Sequence, residues 1–293
     1  MKLFIFMCCI SINVYACDIC GCSSSLNFNS ITPGYNNSII GTRYSRNIFE
    51  STHPGETTLS KDNYNTFELF GRITLFKKFQ ILGNIPFHLY NSVEENLEIN
   101  IKEFGDASLL VNRILIDNSD SIRKLKFFSS IGLGTKFPTG KYNLIQNYSF
   151  VHPGLQPGTG SFDFIMQTNN SIRYKNWGNQ LDISYRYNTE NSNKYKFGNQ
   201  LAINYRLFYW FNFKKNSILP HIGIDAELKN TNQQNNNDVA LTGSKMLLAN
   251  LGSQFFFEHF AINLQFQKPL YQNINEGYTT NTYRFNSQII YLF

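Results

Sequence analysis

The chain has 293 residues, of which 42% are hydrophobic, 16% aromatic and only 16% charged. Soluble domains carry about 25% charged residues, so an ordinary soluble domain fits poorly. The formal net charge of +6 is spread without a basic cluster, which gives no case for a nucleic-acid partner.

The chain opens on Met1-Lys2, an apolar run from Leu3 to Ile10, and Val14-Tyr15-Ala16. A charged start, a short apolar core and a small-residue cleavage site predict a secretory signal peptide over 1–16. The apolar run is too short to cross a bilayer as a helix, and no later run is long enough.

Cleavage after Ala16 leaves a periplasmic segment, 17–37, that begins Cys17-Asp18-Ile19-Cys20-Gly21-Cys22. Thiolates at this spacing can close on one soft ion, Cu or Zn, with Asp18 or the new α-amino group completing the set. Exported cysteines also form disulfides, and an odd count leaves one over, as a free thiol or a lipid anchor. These fates stay open on the sequence. Cys17, Cys20 and Cys22 are the candidate metal ligands, and no other cofactor is expected.

From residue 38 to 293, apolar and polar side chains alternate in segments near the ~10 residues that a tilted membrane strand needs. About twelve strands are predicted, at 38–49, 64–76, 79–90, 104–116, 125–137, 161–174, 180–190, 196–210, 217–229, 243–256, 259–269 and 280–293. In the seventh, Leu181, Ile183, Tyr185 and Tyr187 oppose Asp182, Ser184, Arg186 and Asn188. The second follows suit, except that Phe70 falls on the polar face with Glu68, Arg72 and Thr74.

Joints alternate too. Lys77-Lys78, 118–124, 175–179, 212–216 and Glu258 are short; 51–63, 91–103, 138–160, 230–242 and 271–279 are longer and more polar. Short periplasmic turns facing long extracellular loops are the habit of outer-membrane barrels. The fold class expected is therefore all-β: a transmembrane antiparallel barrel with both ends of the chain in the periplasm. Tyr174, Trp177, Tyr209 and Trp210 fall near periplasmic strand ends, where an interfacial aromatic belt would lie. Loop 138–160 is rich in Gly and Pro and can fold inward as a plug or hatch. The last strand alternates Tyr283, Phe285, Ser287, Ile289, Tyr291 and Phe293, an address for the barrel-assembly machinery.

The polar faces place charges of both signs toward a wet bore. The candidates for lining it and setting selectivity are Arg43, Glu68, Arg72, Asp106, Lys136, Asp182, Arg186, Arg206, Asp225 and Arg284; Asp163, Arg173 and Glu227 share those faces. The five histidines, His53, His88, His152, His221 and His259, are scattered, and no Gly-x-Ser-x-Gly elbow occurs. No catalytic residues are assigned, and an enzyme is not expected.

Several segments have a more specific likeness. They are Ile85-Pro86-Phe87, Phe104-Gly105-Asp106, Lys136-Phe137-Pro138-Thr139-Gly140-Lys141 and Pro157-Gly158-Thr159-Gly160-Ser161-Phe162-Asp163. In this order they resemble the outer-membrane channel family named after the phenol meta-cleavage pathway. The likeness spans about the third to the sixth strand. The cysteine segment is outside that family's general pattern and is similar to Bacteroidota-type members. The resemblance implies passive uptake of small, often apolar or aromatic molecules across the outer membrane. The expected partners are outer-membrane lipid, the assembly machinery through Phe293, and a small-molecule substrate. A metal-handling barrel built on the cysteines is the alternative, and an outer-membrane hydrolase a third reading.

Overall fold

The computed structural model describes residues 37–52, 59–94, 97–118, 124–146, 149–151 and 153–293. The signal peptide, the three cysteines and all of 17–37 but its last residue lie outside the described residues.

Twelve strands form the wall. They are β1 (Ile39–Thr52), β2 (Leu59–Leu75), β3 (Phe79–Glu94), β4 (Leu97–Phe104, resumed at Ser108–Asp117), β5 (Leu125–Lys136) and β6 (Asp163–Tyr174). The second half comprises β7 (Trp177–Tyr187), β8 (Gln200–Tyr209, continued by Phe211–Phe213), β9 (Asn216–Lys229), β10 (Ser244–Phe256), β11 (Phe260–Ile274) and β12 (Thr279–Leu292). Each pairs antiparallel with its chain neighbours, and β12 pairs with β1, so the sheet closes on itself. No α-helix occurs among the described residues. Closure leaves no open edge, the condition for a sheet to cross a membrane.

The alternation read from the sequence is the alternation of the wall. Leu69, Ile73, Tyr185, Tyr205, Ile224 and Ile289 are exposed, while Glu68, Arg72, Asp182, Arg186, Arg206 and Asp225 are buried. Large apolar side chains exposed all round a closed sheet form a lipid-facing surface, and polar ones meet inside. Tyr174, Trp177 and Phe293 are exposed at the short-turn end, as an interfacial belt requires. Trp210 departs from the expected belt: it points inward, stacked on Phe256 at 5.9 Å and under the Arg173 guanidinium at 4.2 Å.

Of the expected loops at 51–63 and 91–103, the described residues are strand. β3 runs to Glu94 and β4 starts at Leu97, so the two pair well past the lipid-facing zone. There the outward side chains no longer meet lipid, so the apolar period fades while the backbone ladder continues. β4 breaks at Gly105-Asp106-Ala107. The inward positions switch there from Ile101 and Glu103 to Asp106, Ser108 and Leu110, the effect of an extra residue in one strand.

Candidate functional site

The inward side chains stack in three zones. Next to the short turns lies an apolar layer of Ile39, Phe70, Phe208, Trp210, Leu219, Phe256, Ala261, Ile290 and Leu292. Phe70, the exception on its strand, belongs to this layer.

The middle zone is polar. Arg43 stands directly opposite Glu68 on the neighbouring strand, and its guanidinium lies 3.2 Å from the carboxylate. Arg206, fully buried, sits 3.6 Å from Asp182 on one side and 3.5 Å from Asp225 on the other. The register explains the pairing: Asn204, two residues back on the same face, is opposite both Asp182 and Asp225. Diagonal neighbours at that spacing are within reach of a long side chain. Asp225 also accepts hydrogen bonds from the amides of Asn250 at 2.8 Å and Gln267 at 2.5 Å. Arg284 reaches Glu227 at 2.7 Å. Beside this network Gln254 and Asn263 face each other across β10 and β11, and none of their amide atoms has a protein hydrogen-bond partner.

The third zone, toward the long loops, is apolar again. Phe49, Tyr64, Tyr90, Ile101, Met246, Leu248 and Ile274 from the wall pack with Val151 from the 137–162 loop, flanked by Leu144 and Leu155. The loop thus leaves the wall between β5 and β6 and joins an inward cluster to which β10 and β11 also contribute. Gln156 braces it, accepting from the Leu144 N–H at 3.1 Å and donating to the Val151 carbonyl at 2.6 Å.

The motif segments meet at the root of this loop. Asp106 accepts from the N–H groups of Gly140 and Thr159, both at 2.9 Å, and from the Thr159 hydroxyl at 2.8 Å. The Lys136 ammonium lies 2.6 Å from Asp106 and 2.7 Å from Asp163, and also contacts the Thr159 hydroxyl. Asp163 accepts from the Ser161 hydroxyl at 2.9 Å and the Thr189 N–H at 3.0 Å, tying in the next loop. The backbones cross closely: a Cβ on Gly158 would sit 2.4 Å from the Gly140 carbonyl. Both glycines are needed for this approach.

All ten candidate lining residues therefore face the interior, but they fall into separate groups. Asp106 and Lys136 fasten the loop, and Arg206, Asp182 and Asp225 form the central network. Arg43 pairs with Glu68 and Arg284 with Glu227. Arg72 and Arg186 are inward and buried. The charge-based reading missed Gln156, Thr159, Gln254 and Asn263. Gln254 and Asn263 lie on polar strand faces and, being neutral, carried no signal beyond alternation; Gln156 and Thr159 lie in the loop, where no alternation marks them, and only Thr159 fell within a motif segment. Among the described residues no cluster could hold a metal ion. The candidate ligands Cys17, Cys20 and Cys22 lie outside them.

No family model and no curated relative matches the chain. Solved structures do. An outer membrane channel from Pseudomonas putida F1 is similar over 92% of this chain and 99% of its own, with 14% identity and a TM-score of 0.66. The beta domain of the Bordetella autotransporter BrkA is similar over 88% of this chain and 100% of its own, with 6% identity and a TM-score of 0.56. The chain has the fold of an outer membrane β-barrel. At these identities the likeness is one of fold. It agrees with the outer-membrane barrel expected from the sequence and does not extend to the Bacteroidota type or the cysteine segment.

One expectation is corrected. An enzyme is not expected from the sequence for want of a catalytic constellation, but barrels of similar fold serve as a channel and as the beta domain of an autotransporter. One barrel fold carries unrelated functions, so the fold rules no activity out.

Proposed function

We propose that the protein is an outer-membrane channel through which small molecules pass passively, with the 137–162 loop as its constriction. The observation that carries this reading is the middle zone. Ionised pairs and unpartnered amides face inward there, between apolar layers, so a passing solute meets hydrogen-bonding groups while lipid is kept outside. The loop motifs resemble those of a family of small-molecule channels, and one barrel of similar fold is a channel. Arg206, Asp182, Asp225 and the other inward charges set selectivity by field and hydrogen bonding. The C-terminal strand, ending in Phe293, is the address read by the assembly machinery.

Liposome swelling tests the reading. Vesicles containing the protein should swell in small neutral and charged solutes faster than empty vesicles, and Arg206→Ala should change the ranking of anions against cations. Swelling no faster than in empty vesicles would overturn it.

A further inference from the structure

A second site lies at the loop end of β8 to β11. A cavity of about 540 Å³ opens among the loops 188–199, 230–243 and 275–278. Small-molecule sites measure roughly 300–1,000 Å³, so it is large enough for one. Its walls are fixed. Asn232, fully buried, accepts from the Gly198 N–H at 2.8 Å, donates to the Tyr195 hydroxyl at 2.8 Å and donates its own N–H to Thr242 at 3.0 Å. Tyr195–Lys196 pairs with Gln233–Gln234, which welds two of the loops together.

The lining carries three lysines, Lys196, Lys229 and Lys245, against two carboxylates, Asp238 and Glu276. Both carboxylates already accept protein N–H groups: Asp238 from Gln233 at 3.1 Å, and Glu276 from the Leu241 backbone at 3.2 Å. Lys196 lies over the Tyr187 ring at 5.0 Å and Lys229 over the Phe197 ring at 5.7 Å. Among the described residues, Lys196 and Lys245 form no ion pair.

We infer that this cavity binds a small anion bearing a carboxylate or phosphate, held by the three lysines with Asn199, Thr231 and Asn273 as neutral donors. Ammonium groups on a partly enclosed, preformed wall attract an anion without prior reorganisation. The site stands whether or not the barrel conducts. The anion has two sources, a dissolved organic acid or the phosphate of a surface lipid.

Calorimetry on the full mature chain in neutral detergent tests it, with benzoate, inorganic phosphate and phosphorylated lipid A in mixed micelles as separate probes. At least one should bind saturably and more weakly as salt rises. Benzoate or phosphate binding points to a dissolved ligand; lipid A binding alone points to the headgroup. Replacing all three lysines by Gln should weaken binding at least tenfold, and Lys245→Gln alone several-fold, with the barrel's circular dichroism unchanged. Should the triple variant misfold, the single one decides. No saturation with any probe up to ~10 mM, a Kd that amounts to only about 3 kcal/mol, would overturn the inference. So would binding unchanged in Lys245→Gln and the triple variant.

Discussion

Lys136 is held by two aspartates at once, and Asp106 gathers four donors from two segments of chain. A buried pair broken on one side leaves an uncompensated charge, which costs about 3–5 kcal/mol. Lys136→Met is therefore expected to lower the urea midpoint of the folded barrel and to make the 137–162 loop sensitive to protease on intact cells. Gly158→Ala should loosen the same loop without touching any charge, because its Cβ would meet the Gly140 carbonyl. Native-like protease resistance in both variants would contradict the latch. On the outer face, Leu69→Arg places a charge in lipid and should destabilise the barrel by about 2–4 kcal/mol if it lies near the bilayer midplane. The same change at an inward site would lack that signature. At this scale direction was legible: one alternating strand sends Asp182 inward and Ile183 outward. Partners were not. Nothing in the order of residues says that Lys136 meets Asp106 and Asp163, because that contact is made by the break in β4 and the return of the loop.

The strands β5 to β10 and β12 stay close to their apolar period, whereas β2, β3, β4 and β11 outrun it. Where a strand rises beyond lipid its outward residues turn polar, so Asn63, Asn91 and Glu98 read as loop although they pair in the ladder. The Gly and Pro content of 138–160 suggests a loop that can fold inward as a plug or hatch, and Val151 packs among the inward wall residues. The other members of that cluster, on β10 and β11 among others, are far away in sequence and left no local trace. β12 closes the seam: the Phe293 N–H donates to the Ser38 carbonyl at 3.0 Å, beside the paired run from Ile39↔Leu292 onward. Deleting Phe293 removes that stitch and the exposed ring beside Tyr291. Outer-membrane abundance should fall, measured by heat-modifiable mobility on gels of membrane fractions. Unchanged abundance would count against a role for the residue in assembly.

As a whole the molecule is a closed wall with lipid-facing Leu, Ile and Tyr outside, and inside it a polar belt set between two apolar layers. The loop that fills the outer layer is tied at its root by buried charge, so the barrel should outlast its removal. Single-channel recording of the mature chain in planar bilayers is the most direct test of the account. Small discrete steps are expected for the intact protein, and larger ones when residues 142–157 are replaced by a short Gly-Ser link that keeps Lys136, Asp106 and Asp163. Two folded proteins that both leave the bilayer silent would contradict it.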